Sequence, residues 1–157
     1  MLHKSQPVLE VRSMPQGLIE GYASVFGGID SQGDTVLPGA YAASLARHKS
    51  AGGAPLMLWA HNQAAPVGRW LDLREDARGL RVEGRINLKT RAGNDAFEHL
   101  SAGDLNGLSI GYDIPPGGAK FVGGVNQLRQ LDLAEVSLVS LPSDVGARVL
   151  SVKSQAG

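Results

Sequence analysis

Gly107-Leu108-Ser109-Ile110-Gly111-Tyr112-Asp113-Ile114 reads as a single strand, stopped by Pro115-Pro116-Gly117-Gly118, and this reading decides the fold. Downstream, Asn126 to Leu133 and Val136 to Leu141 continue the β pattern until Pro142-Ser143 breaks it, and Ala147 to Val152 forms a last candidate strand. Upstream, Gly79 to Asn87 sets Leu80, Val82 and Ile86 on one face and Arg81, Glu83 and Arg85 on the other. It follows Val67 to Leu73 across the polar turn Glu75-Asp76-Ala77-Arg78. Leu56 to Trp59 is a short apolar strand, and Val8 to Val11 and Gly17 to Phe26 supply two more. Two helices interrupt the series. Gly39 to His48 starts behind Pro38 and aligns Tyr41, Leu45 and His48; Ala92 to Leu100 carries Ala96, Phe97 and Leu100 and ends before Gly103. Gly27 to Gly33 is turn material, including Asp30-Ser31-Gln32-Gly33-Asp34, which lacks the ligands of a calcium loop. The class expected is mainly β with flanking helices (α+β), with an antiparallel barrel or closed sheet as the best fit. Periodicity does not choose the topology.

Length and composition narrow the function. A chain of 157 residues with 43% hydrophobic content favours one domain over residues 1–157 with its own core. Residues 1–6 read as a loose leader and 151–157 as a polar, small-residue tail. The absence of cysteine excludes a disulfide framework, a thiol nucleophile and thiolate zinc sites. No histidine pair has the spacing of a zinc helix, so no metal is expected. Lys plus Arg balances Asp plus Glu at 15 each, without the basic surplus typical of a nucleic-acid partner. No apolar stretch reaches the length of a membrane span, and no signal-peptide core is present, so a cytoplasmic protein is expected. The 21 glycines suit a chain of short strands and tight turns.

Three side chains on or beside the apolar runs supply a nucleophile system. Ser109 lies in Gly107-x-Ser109-x-Gly111, a string like the nucleophile elbow of α/β-hydrolases. Those enzymes run Ser, acid, His along a larger parallel sheet, whereas here the best histidine comes first and no βαβ alternation is visible. The glycines have a simpler use, in letting a substrate or another strand approach closely. His61 follows Leu56-Met57-Leu58-Trp59 at a strand end, placed and accessible as a general base must be, with Asn62 to Pro66 turning the chain. Glu135 interrupts Leu131-Asp132-Leu133-Ala134-Glu135-Val136-Ser137-Leu138-Val139, where a buried charge needs a partner. Pairing with His61 would satisfy it; Asp132, on the opposite face, is the reserve. Each residue also has a plainer reading: a hydrogen-bonded strand serine, a histidine on a loop carbonyl, a solvent-facing glutamate. His48 reads as a helix C-terminal cation and His99 as an exposed neighbour of Glu98.

Taken together with their surroundings, these segments resemble the prohead protease family of tailed bacteriophages. The likeness runs from about Glu20 to Lys153. It includes Gly21-Tyr22-Ala23-Ser24-Val25-Phe26, Asp30, Gly33-Asp34, Pro38-Gly39-Ala40-Tyr41, Leu58-Trp59-Ala60-His61-Asn62, Pro66-Val67-Gly68 and Gly79-Leu80-Arg81-Val82-Glu83-Gly84. It closes with Gly107-Leu108-Ser109-Ile110-Gly111-Tyr112, Glu135-Val136-Ser137-Leu138-Val139 and Pro142. The resemblance implies a closed, mostly antiparallel β-barrel ringed by helices, similar to the herpesvirus maturational protease (assemblin). It implies a serine endopeptidase with Ser109 as nucleophile, His61 as general base and acid, and Glu135 orienting His61, with no cofactor. The implied substrates are the scaffolding segment of the major capsid protein or a separate scaffold protein, and the protease itself, within the assembling prohead in the host cytoplasm. The herpesvirus parallel implies a homodimer, and Ser151 to Gly157 would suit a self-cleaved end. Two other readings predict different behaviour. A non-catalytic capsid-assembly module would not need Ser109, and a small esterase would turn over simple esters without regard to peptide sequence.

Overall fold

The computed structural model describes residues 3–5 and 17–140, so the expected strands at 8–11 and 147–152 and the tail at 151–157 lie outside the described residues. In chain order the elements are β1 (His3–Ser5), β2 (Leu18–Val25), β3 (Asp34–Val36), α1 (Ala42–Ser50), β4 (Leu56–Trp59), β5 (Asn62–Glu75), β6 (Gly79–Ile86), α2 (Arg91–Ala102), β7 (Gly107–Asp113), β8 (Ala119–Val122), β9 (Val125–Leu128) and β10 (Asp132–Val139). Seven strands form one sheet in the order β1-β7-β10-β4-β5-β6-β2, and β3-β9-β8 form a second.

The large sheet is an open half-barrel, which corrects the expected closed barrel. β2 approaches β7 without forming a ladder to it. The outer edge of β7 is already taken by β1, which pairs His3 with Tyr112, Lys4 with Gly111 and Ser5 with Ile110. His3–Ser5, read as part of a loose leader, is therefore a strand. Nor is the sheet wholly antiparallel, because β10 and β4 run parallel.

Alternation fixes the faces as expected where it is strong. Leu80, Val82 and Ile86 are buried, and the core they join includes Met57, Trp70 and Leu108. Room for the Trp70 ring comes from Gly84, where a Cβ would lie 2.6 Å from indole Cε3. The indole N–H then donates to Val136 O at 3.1 Å, tying β5 to β10 across the sheet. Burial pushes the Tyr41 and Tyr112 hydroxyls up, so both stay neutral, and the Tyr41 hydroxyl bonds Ser24 Oγ at 2.6 Å.

α2 ends at the expected Gly103 and begins one residue earlier than expected, behind Thr90. Thr90 Oγ accepts from Gly93 N at 2.9 Å, and Gly103 closes the helix at φ 80°. α1 begins three residues later than expected. Gly39 adopts φ 94°, which a helix does not allow, so Pro38 opens a turn instead. Glu75 reaches across from β5 and accepts from Gly39 N (2.7 Å) and Tyr41 N (2.8 Å), caring for donors ahead of the helix. Asp30 shapes the preceding turn by accepting from Gln32 N (2.8 Å) and Asp34 N (3.0 Å).

Tyr41, Ser44, Leu45 and His48 form the inward stripe of α1. Leu133 extends beyond the start of β4, whose first paired residue, Leu56, faces Glu135. The helix supplies the missing partners. Leu133 N–H donates to the buried Ser44 Oγ at 2.8 Å, and His48 Nε2–H donates to Leu133 O at 2.7 Å. Ser44→Ala strands a buried N–H, so urea denaturation is expected to show about 1–3 kcal/mol less stability with an unchanged m-value. A loss below about 0.5 kcal/mol would mean that water replaces the hydroxyl.

Candidate active site

β4 carries the chain to Trp59 and β5 takes it back from Asn62, directly opposite, leaving Ala60 and His61 as a two-residue turn. Both have positive φ, 48° and 63°. These are the conformations of a type I′ hairpin, normally given to Asn and Gly, and they cost a β-carbon-bearing residue about 1 kcal/mol or more each. The turn is thus at residues 60–61, not within 62–66 as expected. The pairing jumps from Asn62 to Pro66, so Gln63, Ala64 and Ala65 bulge from β5 instead. The hairpin tip is docked on β10, with Ala60 N–H donating to Leu138 O at 2.9 Å and His61 N–H to Ser137 Oγ at 3.1 Å.

This docking lays the imidazole across β10 and β7. His61 Nδ1–H donates to Glu135 Oε1 at 2.5 Å, and His61 Nε2 meets Ser109 Oγ at 2.9 Å. A carboxylate can only accept, so Nδ1 carries the ring proton and Nε2 offers a lone pair to the Ser109 hydroxyl. Glu135 Oε1 also accepts from Ser137 Oγ–H at 2.5 Å. Glu135 is 1% exposed, Ser109 2% and Ser137 wholly buried, while the His61 side chain is 15% exposed and faces solvent.

The strand register explains how residues so far apart meet. β10 lies between β7 and β4, pairing Ser137 with Ser109 on one side and Leu58 on the other. A bulge between Leu133 and Glu135 brings Glu135 opposite Gly111. A Cβ at Gly111 would sit 2.5 Å from Glu135 Cγ and 2.7 Å from its Cδ. The second glycine of Gly107-x-Ser109-x-Gly111 therefore admits the glutamate side chain.

All three residues singled out from the sequence are brought together, and the other candidates are not. Asp132 pairs with Arg47 on α1, and its side chain is 43% exposed. His48 is held by the Leu133 carbonyl, and His99 by Asp104 Oδ2 at 2.7 Å. Ser137 and Gly111 were not singled out. A polar residue two positions from a buried glutamate on the same strand is the signal that marks Ser137. Among the described residues no group of three or more His, Asp or Glu could hold a metal, and no helix is long and apolar enough to cross a membrane. A concavity of about 880 Å³ lies against β5 and β6 between Pro66, Arg69 and Arg85 and touches none of Ser109, His61 and Glu135.

A serine, an imidazole and a carboxylate joined in line form the relay that serine hydrolases use. The chain belongs to the caudovirus prohead serine protease family, whose model matches residues 8–156. It is 31% identical over 144 residues to the prohead protease of Enterobacteria phage HK97, covering 90% of this chain and 63% of that protein. It is 28% identical over 103 residues to the prohead protease of Escherichia phage T5, covering 66% of this chain and 48% of that one. The chain thus spans less than two thirds of the length of either curated relative. In fold it is similar to the solved structure of the bacteriophage T4 capsid assembly protease, with a TM-score of 0.73, 10% identity, and coverage of 90% of this chain and 98% of that one.

Proposed function

We propose that this chain is a serine endopeptidase of prohead maturation, with Ser109 as nucleophile, His61 as general base and acid, and Glu135 holding His61. Its substrates are the scaffolding segment of the major capsid protein or a separate scaffold protein, and the protease itself, inside the assembling shell in the host cytoplasm. Self-association, as a homodimer or a higher homo-oligomer, is part of this reading. The observation that carries it is the relay from Ser109 Oγ through Nε2 and Nδ1 of His61 to Glu135, with contacts of 2.9 and 2.5 Å.

The chemistry follows from the proton positions. His61 Nε2 removes the Ser109 hydroxyl proton as Oγ bonds the peptide carbonyl carbon. The imidazolium that forms is balanced by the Glu135 charge. It returns the proton to the leaving amine as the C–N bond breaks. Water then attacks the acyl-serine, loses a proton to His61, and the acid product leaves as Ser109 regains its hydrogen.

Two measurements test the assignment. A fluorophosphonate is expected to add to Ser109, found by peptide mapping, and co-expression with the major capsid protein and scaffold of the same genome is expected to shorten one of them by intact mass. Well-formed shells that contain the chain yet hold only full-length capsid and scaffold, together with no adduct on Ser109, would overturn the reading in favour of a non-catalytic assembly module.

A further inference from the structure

Ser137 touches both the backbone of the histidine and the carboxylate of the glutamate. It is wholly buried, on the strand between those that carry Ser109 and the His61 turn. A hydroxyl has one hydrogen to give and lone pairs to receive with. The roles here are forced. The His61 N–H can only donate, so Ser137 Oγ accepts from it at 3.1 Å. A carboxylate can only accept, so the Ser137 hydrogen points at Glu135 Oε1 at 2.5 Å. That same oxygen receives His61 Nδ1–H. Ser137, Glu135 Oε1 and His61 thus close a ring of hydrogen bonds from the histidine's main chain to its own imidazole.

The ring matters because His61 stands at φ 63°. A residue with a β-carbon does not hold that conformation by its own preference, and neighbouring contacts must determine it. The Ala60 N–H bond to Leu138 O anchors the first turn residue, and Ser137 anchors the second. We infer that Ser137 is a positioning residue for the proteolytic reaction, locking the left-handed backbone of His61 and the Glu135 carboxylate into one register. Through that lock Nε2 is kept in line with Ser109. This inference rests on the protease reading for its kinetic consequence, but not for its geometry.

The test compares the parent chain with Ser137→Ala and Ser137→Thr by two readouts. With a peptide spanning the mapped capsid or scaffold cleavage site, Ser137→Ala is expected to lower kcat on the order of 10- to 100-fold with KM within about twofold, since the lost hydrogen bonds align the base and do not hold substrate. Ser137→Thr keeps the hydroxyl and is expected to recover most of kcat. Nitrogen-15 histidine spectra read the geometry without substrate. The His61 Nδ1–H proton resonance, protected in the parent and in Ser137→Thr, is expected to broaden away in Ser137→Ala at a temperature where circular dichroism shows all three folded. An unchanged kcat and an unchanged Nδ1–H signal in Ser137→Ala would refute the role, as would equal kcat losses in both variants. Absence of turnover in the parent, with the signal lost only in Ser137→Ala, would sink the protease reading and leave the lock standing.

Discussion

Ser109→Ala is expected to leave capsid and scaffold precursors full length, with peptide turnover down about a millionfold, the scale reached when the nucleophile of a serine relay is removed. The substitution deletes one oxygen from a site that is 2% exposed. It leaves His61 still bonded to Glu135 through Nδ1 and still docked on β10 through its main chain. Thermal unfolding should therefore stay close to that of the parent, which separates lost chemistry from lost structure. The measurement is intact mass after co-expression, followed by initial rates on the identified cleavage peptide. A variant within about tenfold of the parent rate would remove Ser109 from the mechanism, since no neighbouring group could supply the acyl-enzyme so nearly as well.

Glu135→Gln is expected to cost about a hundredfold to a thousandfold in kcat, less than the ten-thousandfold seen when an amide in a relay also forces the wrong histidine tautomer. Here the loss has a particular origin. Two donors, the Ser137 hydroxyl and His61 Nδ1–H, converge on Oε1, so an amide would turn its oxygen to that position. The tautomer of His61 would then survive. What disappears is the negative charge facing the imidazolium as it forms, in a position 1% exposed where water offers little compensation. KM should change little, because Glu135 lies behind His61 and not toward substrate. A kcat within tenfold of the parent would show that Glu135 orients the ring by hydrogen bonding alone.

Leu80, Val82 and Ile86 betrayed their strand by strict alternation, and Ala96, Phe97 and Leu100 their helix by helical spacing, because each pattern records one buried face. Ser109 and Glu135 were legible as polar groups where the apolar pattern leaves no room for chance exposure. The turn that places His61 was not. Ala60 has no preference for positive φ and His61 only a weak one, whereas the hairpin between β8 and β9 uses Gly123 and Gly124, at φ 59° and 83°, for the same kind of two-residue connection. Gly-Gly is a readable hairpin signal, but β8 carries no apolar alternation to mark it as a strand, because its Phe121 and Val122 are exposed. Asn126 to Leu133 and Val136 to Leu141 read as two runs, but the first is divided between β9 and β10. β10 continues through Ala134 and Glu135 into the second run, because the bulge absorbs the irregularity and Glu135 finds partners inside. The openness of the large sheet depends on which strand takes the β7 edge, a non-local pairing that no local pattern encodes.

β10, near the end of the described chain, is the strand that joins the two halves of the large sheet. Without it the large sheet is two separate pieces, β1 with β7 and β4 with β5, β6 and β2, and no strand ladder joins one to the other. The pieces carry Ser109 and His61 respectively, 48 residues apart in sequence, and the glutamate is 74 residues from the histidine. Contacts of such long range form late, after the entropy of closing the intervening loops has been met. A nascent chain that has not yet released Val139 from the ribosome therefore holds Ser109 and His61 with no strand to bring them together, and their contact waits until β10 has been made.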